Sequence, residues 1–152
     1  MRKTALFFLI LFLPTFFTGC ATTGKVQTWE VKDEMQIPGL DRDSVFDLIT
    51  IWMADSYQAN RIVIESADKK RGRISATGTA SFNYLGTEQS CRYRMIVGLN
   101  DSAIAITYRD MDPYTLHGRT VMSEEVQGRI HPNLKRTTHS LYRFLSTRGA
   151  SR

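Results

Sequence analysis

The 152-residue chain contains only two cysteines, three histidines and four prolines. Few of its residue spacings carry chemistry. Cys20 and Cys91 form no CxxC pair, and His117, His131 and His139 fit no HExxH pattern, which argues against a structural or catalytic zinc site. G-x-S-x-G does not occur, so the serine-hydrolase elbow is absent. Gly72, Gly78 and Gly86 fall in strands and turns, away from any phosphate-cradling loop ahead of a helix. After residue 17 there is no second long apolar run, no internal repeat and no low-complexity tract. No catalytic residue, metal or cofactor is expected from these patterns.

What is present begins at the N-terminus. Met1-Arg2-Lys3 precedes an apolar run from Ala5 to Phe17, and Thr18-Gly19-Cys20 follows. A charged start, a short apolar centre and a small-residue cut read as an export signal. The run is shorter than the roughly 20 apolar residues of a spanning helix, and Pro14 interrupts it. A short transmembrane anchor over residues 4–17 is the alternative. The cysteine at the cut resembles a bacterial lipobox, with Cys20 as the lipidated residue and cleavage between Gly19 and Cys20. Each buried lipid CH₂ contributes about 0.8 kcal/mol, so several acyl chains would anchor the chain firmly. Ala21, where an Asp would suggest inner-membrane retention, points towards the outer membrane. The net charge of +5 falls to +3 without Arg2 and Lys3, too mild for a nucleic-acid partner. About 130 residues then remain, enough for one domain.

Residues 20–27 read as a polar tether, and 28–148 as one α+β domain ahead of a 149–152 tail. Thr28–Ile37 predicts a first strand, stopped by Pro38-Gly39. Asp41 is a good N-cap, with Leu40 and Val45 at staple spacing. Val45, Leu48, Ile49, Trp52 and Met53 form one apolar stripe, predicting a helix over 42–58 that Asn60 could end. Four strands follow as a meander. Arg61–Ser66 is joined to Arg73–Tyr84 by the Asp68–Gly72 hairpin. Ser90–Val97 and Ser102–Tyr108 come next. In the second strand Ile74, Ala76, Gly78, Ala80, Phe82 and Tyr84 alternate with Arg73, Ser75, Thr77, Thr79, Ser81 and Asn83, predicting one buried and one wet face. Arg109–Arg129 shows little periodicity and reads as a long loop, with a short strand near 120–122. Pro132 then suits the first position of a last helix reaching about Thr147. Two amphipathic helices and a sheet with one apolar face predict a two-layer sandwich, both helices on one side.

Three segments carry a family resemblance. They are Pro38-Gly39-Leu40 with the helix through Ile51-Trp52-Met53, then Ile62-Val63-Ile64-Glu65-Ser66-Ala67-Asp68-Lys69-Lys70-Arg71-Gly72-Arg73-Ile74, and Gly78-Thr79-Ala80 with Arg92-Tyr93-Arg94. Together they resemble a bacterial domain-of-unknown-function family with a TBP-like fold, often found in exported proteins. The resemblance covers about residues 28–145. It implies an open, curved sheet face opposite the helices and supplies no catalytic residues.

That wet face is the first candidate for a partner, through Arg73, Ser75, Thr77, Thr79, Arg92 and Arg94. A polar sheet face with no partner is the plain alternative. Lys69, Lys70, Arg71 and Arg73 form the densest basic cluster, a solvated hairpin tip or a contact for anionic headgroups. Cys91 alternates into the strand core as a buried thiol, the alternative being a reactive or intermolecular one. Asp110, Asp112, Glu124 and Glu125 share the expected loop without calcium-loop spacing, and an enzyme using them with His117 is the least favoured reading. The favoured function is a non-enzymatic, membrane-anchored envelope lipoprotein that binds an envelope protein or glycan. The alternative is an accessory subunit of an outer-membrane assembly or transport complex.

Overall fold

The computed structural model describes residues 29–36, 39–56, 62–101, 103–115, 118–119 and 122–149. The expected signal at 1–19, Cys20, the 20–27 tether, His117, the Asn60 helix end and the 150–152 tail lie outside the described residues.

The elements run β1 (Val31–Gln36), α1 (Arg42–Asp55), β2 (Val63–Asp68), β3 (Arg73–Tyr84), β4 (Thr87–Leu99), β5 (Ala103–Thr115), β6 (Gly118–Arg119) and α2 (Glu124–Gly149). Five antiparallel strands lie in the order β1-β5-β4-β3-β2, and the two-residue β6 adds to β5. Side chains of alternate residues in β3 and β4 enter the core, including Ile74, Ala76, Tyr93, Met95 and Val97. Val45, Phe46, Ile49, Trp52 and Met53 of α1 meet them, with Val126, Ile130, Leu134, Leu141 and Leu145 of α2. Each such fully buried aliphatic side chain contributes about 1.5–3 kcal/mol. The result is the expected α+β sandwich, with one face of the sheet left to solvent.

Local chemistry explains the helix start. Asp41 holds an extended conformation, and its Oδ1 accepts the Ser44 N–H at 2.9 Å. The helix closes at Asp55, where the Ser56 N–H donates to the Trp52 carbonyl at 2.8 Å. β2 is short and mostly exposed at the sheet edge, bounded by a hairpin in which the Arg71 N–H donates to Asp68 Oδ1.

The stretch 109–129 differs from the expected loop. β5 continues through Pro113 to Thr115, the short strand is Gly118–Arg119, and α2 begins at Glu124 rather than Pro132. Pro132 therefore sits inside the helix on its exposed side. Two features outweigh the proline. Ser123 caps the helix, its Oγ accepting the Val126 N–H and its carbonyl accepting the Gln127 N–H. Val126 and Ile130 then extend the buried stripe of Leu134, Leu141 and Leu145 by two turns. Asp110 and Asp112 consequently lie on a strand, whereas Glu124 and Glu125 form the first turn of a helix, so the four acids share no loop.

Candidate functional site

The solvent-facing side of the sheet carries an ion-pair cluster centred on Arg94. Strand register places Arg94 directly opposite Thr77 on β3 and Arg109 on β5. Two bulges then bring acids to it. The β2–β3 register shifts between Ile64 and Ser66, which makes Glu65 the extra residue. The β4–β5 register shifts between Arg92 and Arg94, and Asp110 takes a left-handed φ of 53° there. Bulges commonly re-aim side chains in this way.

Arg94 Nε donates to Glu65 Oε2 at 3.2 Å, and its Nη1 donates to Asp110 Oδ2 at 2.9 Å. Arg109 Nε stands 3.7 Å from the same Asp110 oxygen, buried and without a hydrogen-bond partner among the described residues. Ser75 and Thr77 hydroxyls both donate to Glu65. The Thr77 bond is the main reason the Glu65 carboxyl sits below its ordinary value, with the Arg94 charge adding and partial burial opposing. Alongside, Arg92 Nη2 donates to Asp112 Oδ2 at 3.1 Å. An open concavity of about 430 Å³ lies over these side chains.

Three acids and three arginines thus interlock on a rigid ladder, half exposed. The site offers charged donors and acceptors at fixed spacing. No cysteine or histidine lines it. Cys91 points to the opposite face and is fully buried, and burial pushes its thiol up to about 12. His131 and His139 are exposed on α2, and no group of acids, histidines and cysteines able to hold a metal occurs among the described residues.

Of the residues expected on the partner face, Ser75, Thr77 and Arg94 converge on Glu65, and Arg92 joins them through Asp112. Arg73 does not, lying at the hairpin end of β3 in a separate hollow with Arg71 and Ile96. Thr79 faces Arg92 in register yet lines a different concavity, beneath α2, with Ser81 and Asn133. β2 begins at Val63, opposite Thr77, and further along β3 Asn133 Nδ2 of α2 donates to the Ser81 carbonyl. Glu65, Asp110 and Arg109 are central members that alternation along single strands did not single out.

Comparison with known proteins accords with this architecture. The domain of unknown function DUF4468, with TBP-like fold, matches residues 32–112. The chain belongs to this family. A DUF4468 family protein from Bacteroides ovatus is similar in structure, with 13% identity and a TM-score of 0.53 over 78% of this chain and 80% of that one. A TBP-like protein from Parabacteroides distasonis shares 16% identity with a TM-score of 0.49, and the chain spans 58% of its length, using 58% of its own. No curated protein matches. At these identities the likeness concerns the fold alone.

Proposed function

We propose that this DUF4468 protein is a lipid-anchored bacterial envelope protein, held through Cys20, whose open sheet face binds another envelope component without chemistry of its own. The observation that carries this reading is the Arg94 cluster: an exposed, preorganised array of both charge signs, built by two bulges on the face the helices leave open. Preorganised side chains lose little freedom on binding, which favours recognition. The N-terminal charged-apolar-Cys20 pattern supports the anchor, and Ala21 after the cysteine supports an outer-membrane address. No helix among the described residues is long and apolar enough to cross a membrane, so attachment through lipid is in keeping with the rest of the domain.

The test is crosslinking in intact cells followed by pull-down with wild-type, Cys20→Ser and Arg94→Ala chains, alongside palmitate labelling. Label on the wild type alone and an envelope partner lost with Arg94→Ala are the expected results. An unlabelled mature chain removes the anchor. A partner set indifferent to Arg94 removes the assigned surface.

A further inference from the structure

Two of the four cations in the basic cluster most conspicuous in the sequence are paired with acids in the fold. Lys69 Nζ lies 2.7 Å from Asp47 Oδ1, Arg71 pairs with Asp68 at 3.7 Å, and Arg42 Nη2 donates to the Lys70 carbonyl. The hairpin tip therefore presents a weakened field.

The end of the chain is the reverse. Residues 29–125 carry all 15 acids of the chain against 11 basic residues, whereas residues 126–152 carry six basic residues and no acid. Most of that basic segment is α2. Lys135 is paired with Asp33 at 2.6 Å and Arg129 stands 3.9 Å from Glu125. Arg136 donates to the neutral Asn133 Oδ1, and Arg143 is exposed two turns further on. Seven residues of helix separate them by about 10.5 Å along one side. Two hollows flank this side and share Ser140, one of about 430 Å³ beside Arg136 and one of about 420 Å³ beside Arg143 and Arg148. No carboxylate lines either.

We infer that the Arg136–Arg143 side of α2 is a docking surface for an anionic phospholipid bilayer, its arginines and neighbouring hydroxyls taking headgroup phosphates. Charge complementarity selects this occupant. The domain is polarised, so an anionic surface attracts α2 and repels the acid-rich remainder, which fixes orientation as well as contact. Reach agrees. The expected tether, residues 20–27, reaches at most about 28 Å when extended. It leads into β1, whose Asp33 holds Lys135 of α2. The inference rests on the lipid-anchor reading for proximity, and it uses residues separate from the Arg94 cluster.

The test uses the full chain with Ser146→Cys carrying a fluorophore, mixed with vesicles bearing an acceptor on their headgroups. One set is phosphatidylcholine, the other contains one quarter phosphatidylglycerol. Energy transfer should rise in the anionic vesicles and fall back at 500 mM salt. Arg136→Gln/Arg143→Gln should cut the phosphatidylglycerol-dependent gain about tenfold, while Lys69→Gln/Lys70→Gln leaves it intact. Equal transfer in both vesicle types, or a gain that survives the arginine change, overturns the inference. Flotation separates the two readings. A chain that floats with neutral vesicles is anchored whatever α2 does. One that floats only with anionic vesicles, and not after the arginine change, has lost the anchor reading and kept this one. One that floats with neither has lost both.

Discussion

Gly78 faces Tyr93 across the β3–β4 ladder, and a Cβ at residue 78 would stand 2.5 Å from the ring's Cζ and hydroxyl. The aromatic ring occupies the space a side chain would fill. Tyr93 is nearly fully buried, packs edge-to-face against Tyr108 at 5.4 Å between centroids, and hydrogen-bonds Thr137. Gly78→Ala must displace the ring and its partners together. Overpacking of this kind costs about 1–3 kcal/mol. Gly128 provides the opposite case, because a Cβ there meets nothing and the residue lies in α2. Gly128→Ala is expected to add about 0.8–1 kcal/mol. Urea unfolding of the two variants should give changes of opposite sign.

The β3–β4 hairpin carries a correctable strain. Leu85 has a φ of 51° and Gly86 one of 78°, the two positive values of a type I′ turn. Leucine is poorly suited to that conformation, and this one is 83% exposed, so its side chain contributes little packing. Leu85→Asn should raise stability by about 0.5–1 kcal/mol without altering the fold. A lowered melting temperature would contradict the turn assignment.

The outer cluster should behave as surface chemistry does. Exposed ion pairs contribute about 0.2–1 kcal/mol each, so Arg94→Gln is expected to cost little stability even though it breaks two of them. Its signature lies in titration. The Glu65 carboxyl is held low chiefly by Thr77 and secondarily by Arg94. Carbon-detected NMR should therefore find its midpoint raised by Thr77→Val further than by Arg94→Gln. Because the folded value is depressed, the associated stability is present above the ordinary carboxylate range and is lost as pH falls through the folded value.

Legibility from sequence followed the range of the interactions. The α1 start was legible because its determinants are local: Asp41 as cap, Leu40 and Val45 at staple spacing, then the apolar stripe. The two faces of β3 were legible because alternation needs only one strand. The start of α2 was hidden by Pro132, a strong local signal overruled by Val126 and Ile130, whose burial depends on a sheet far away in sequence. Glu65 and Asp110 were hidden for a similar reason. A bulge exists only relative to a partner strand, and a period of two read along one strand cannot reveal where the register slips. Arg94 and Thr77 could be assigned to the wet face, but the acids that organise them could not.

Alkaline pH probes the buried face. Burial raises the Cys91 thiol from an ordinary 9.0 to about 12 and the Tyr93 hydroxyl from 10.0 to about 12, and it raises Tyr108 as well. All three are uncharged in the folded state, and each ionises more easily once unfolded. Above about pH 9 the unfolded chain therefore binds fewer protons than the folded one, and folding stability falls as pH rises. It is full below the unfolded values and is lost progressively towards the folded values near 12. A tenfold difference in proton affinity amounts to about 1.4 kcal/mol, so together these groups can offset much of a typical domain's 5–15 kcal/mol. The folded thiol should also resist alkylation at pH 8.5 and react only on unfolding. Cys91→Ala should flatten the decline in melting temperature between pH 9 and 11 while leaving a cavity cost that does not vary with pH. A melting temperature that is level across that range in the wild-type chain, or rapid alkylation of folded Cys91 at pH 8.5, would place the thiol in a setting other than the core between β4 and the helices.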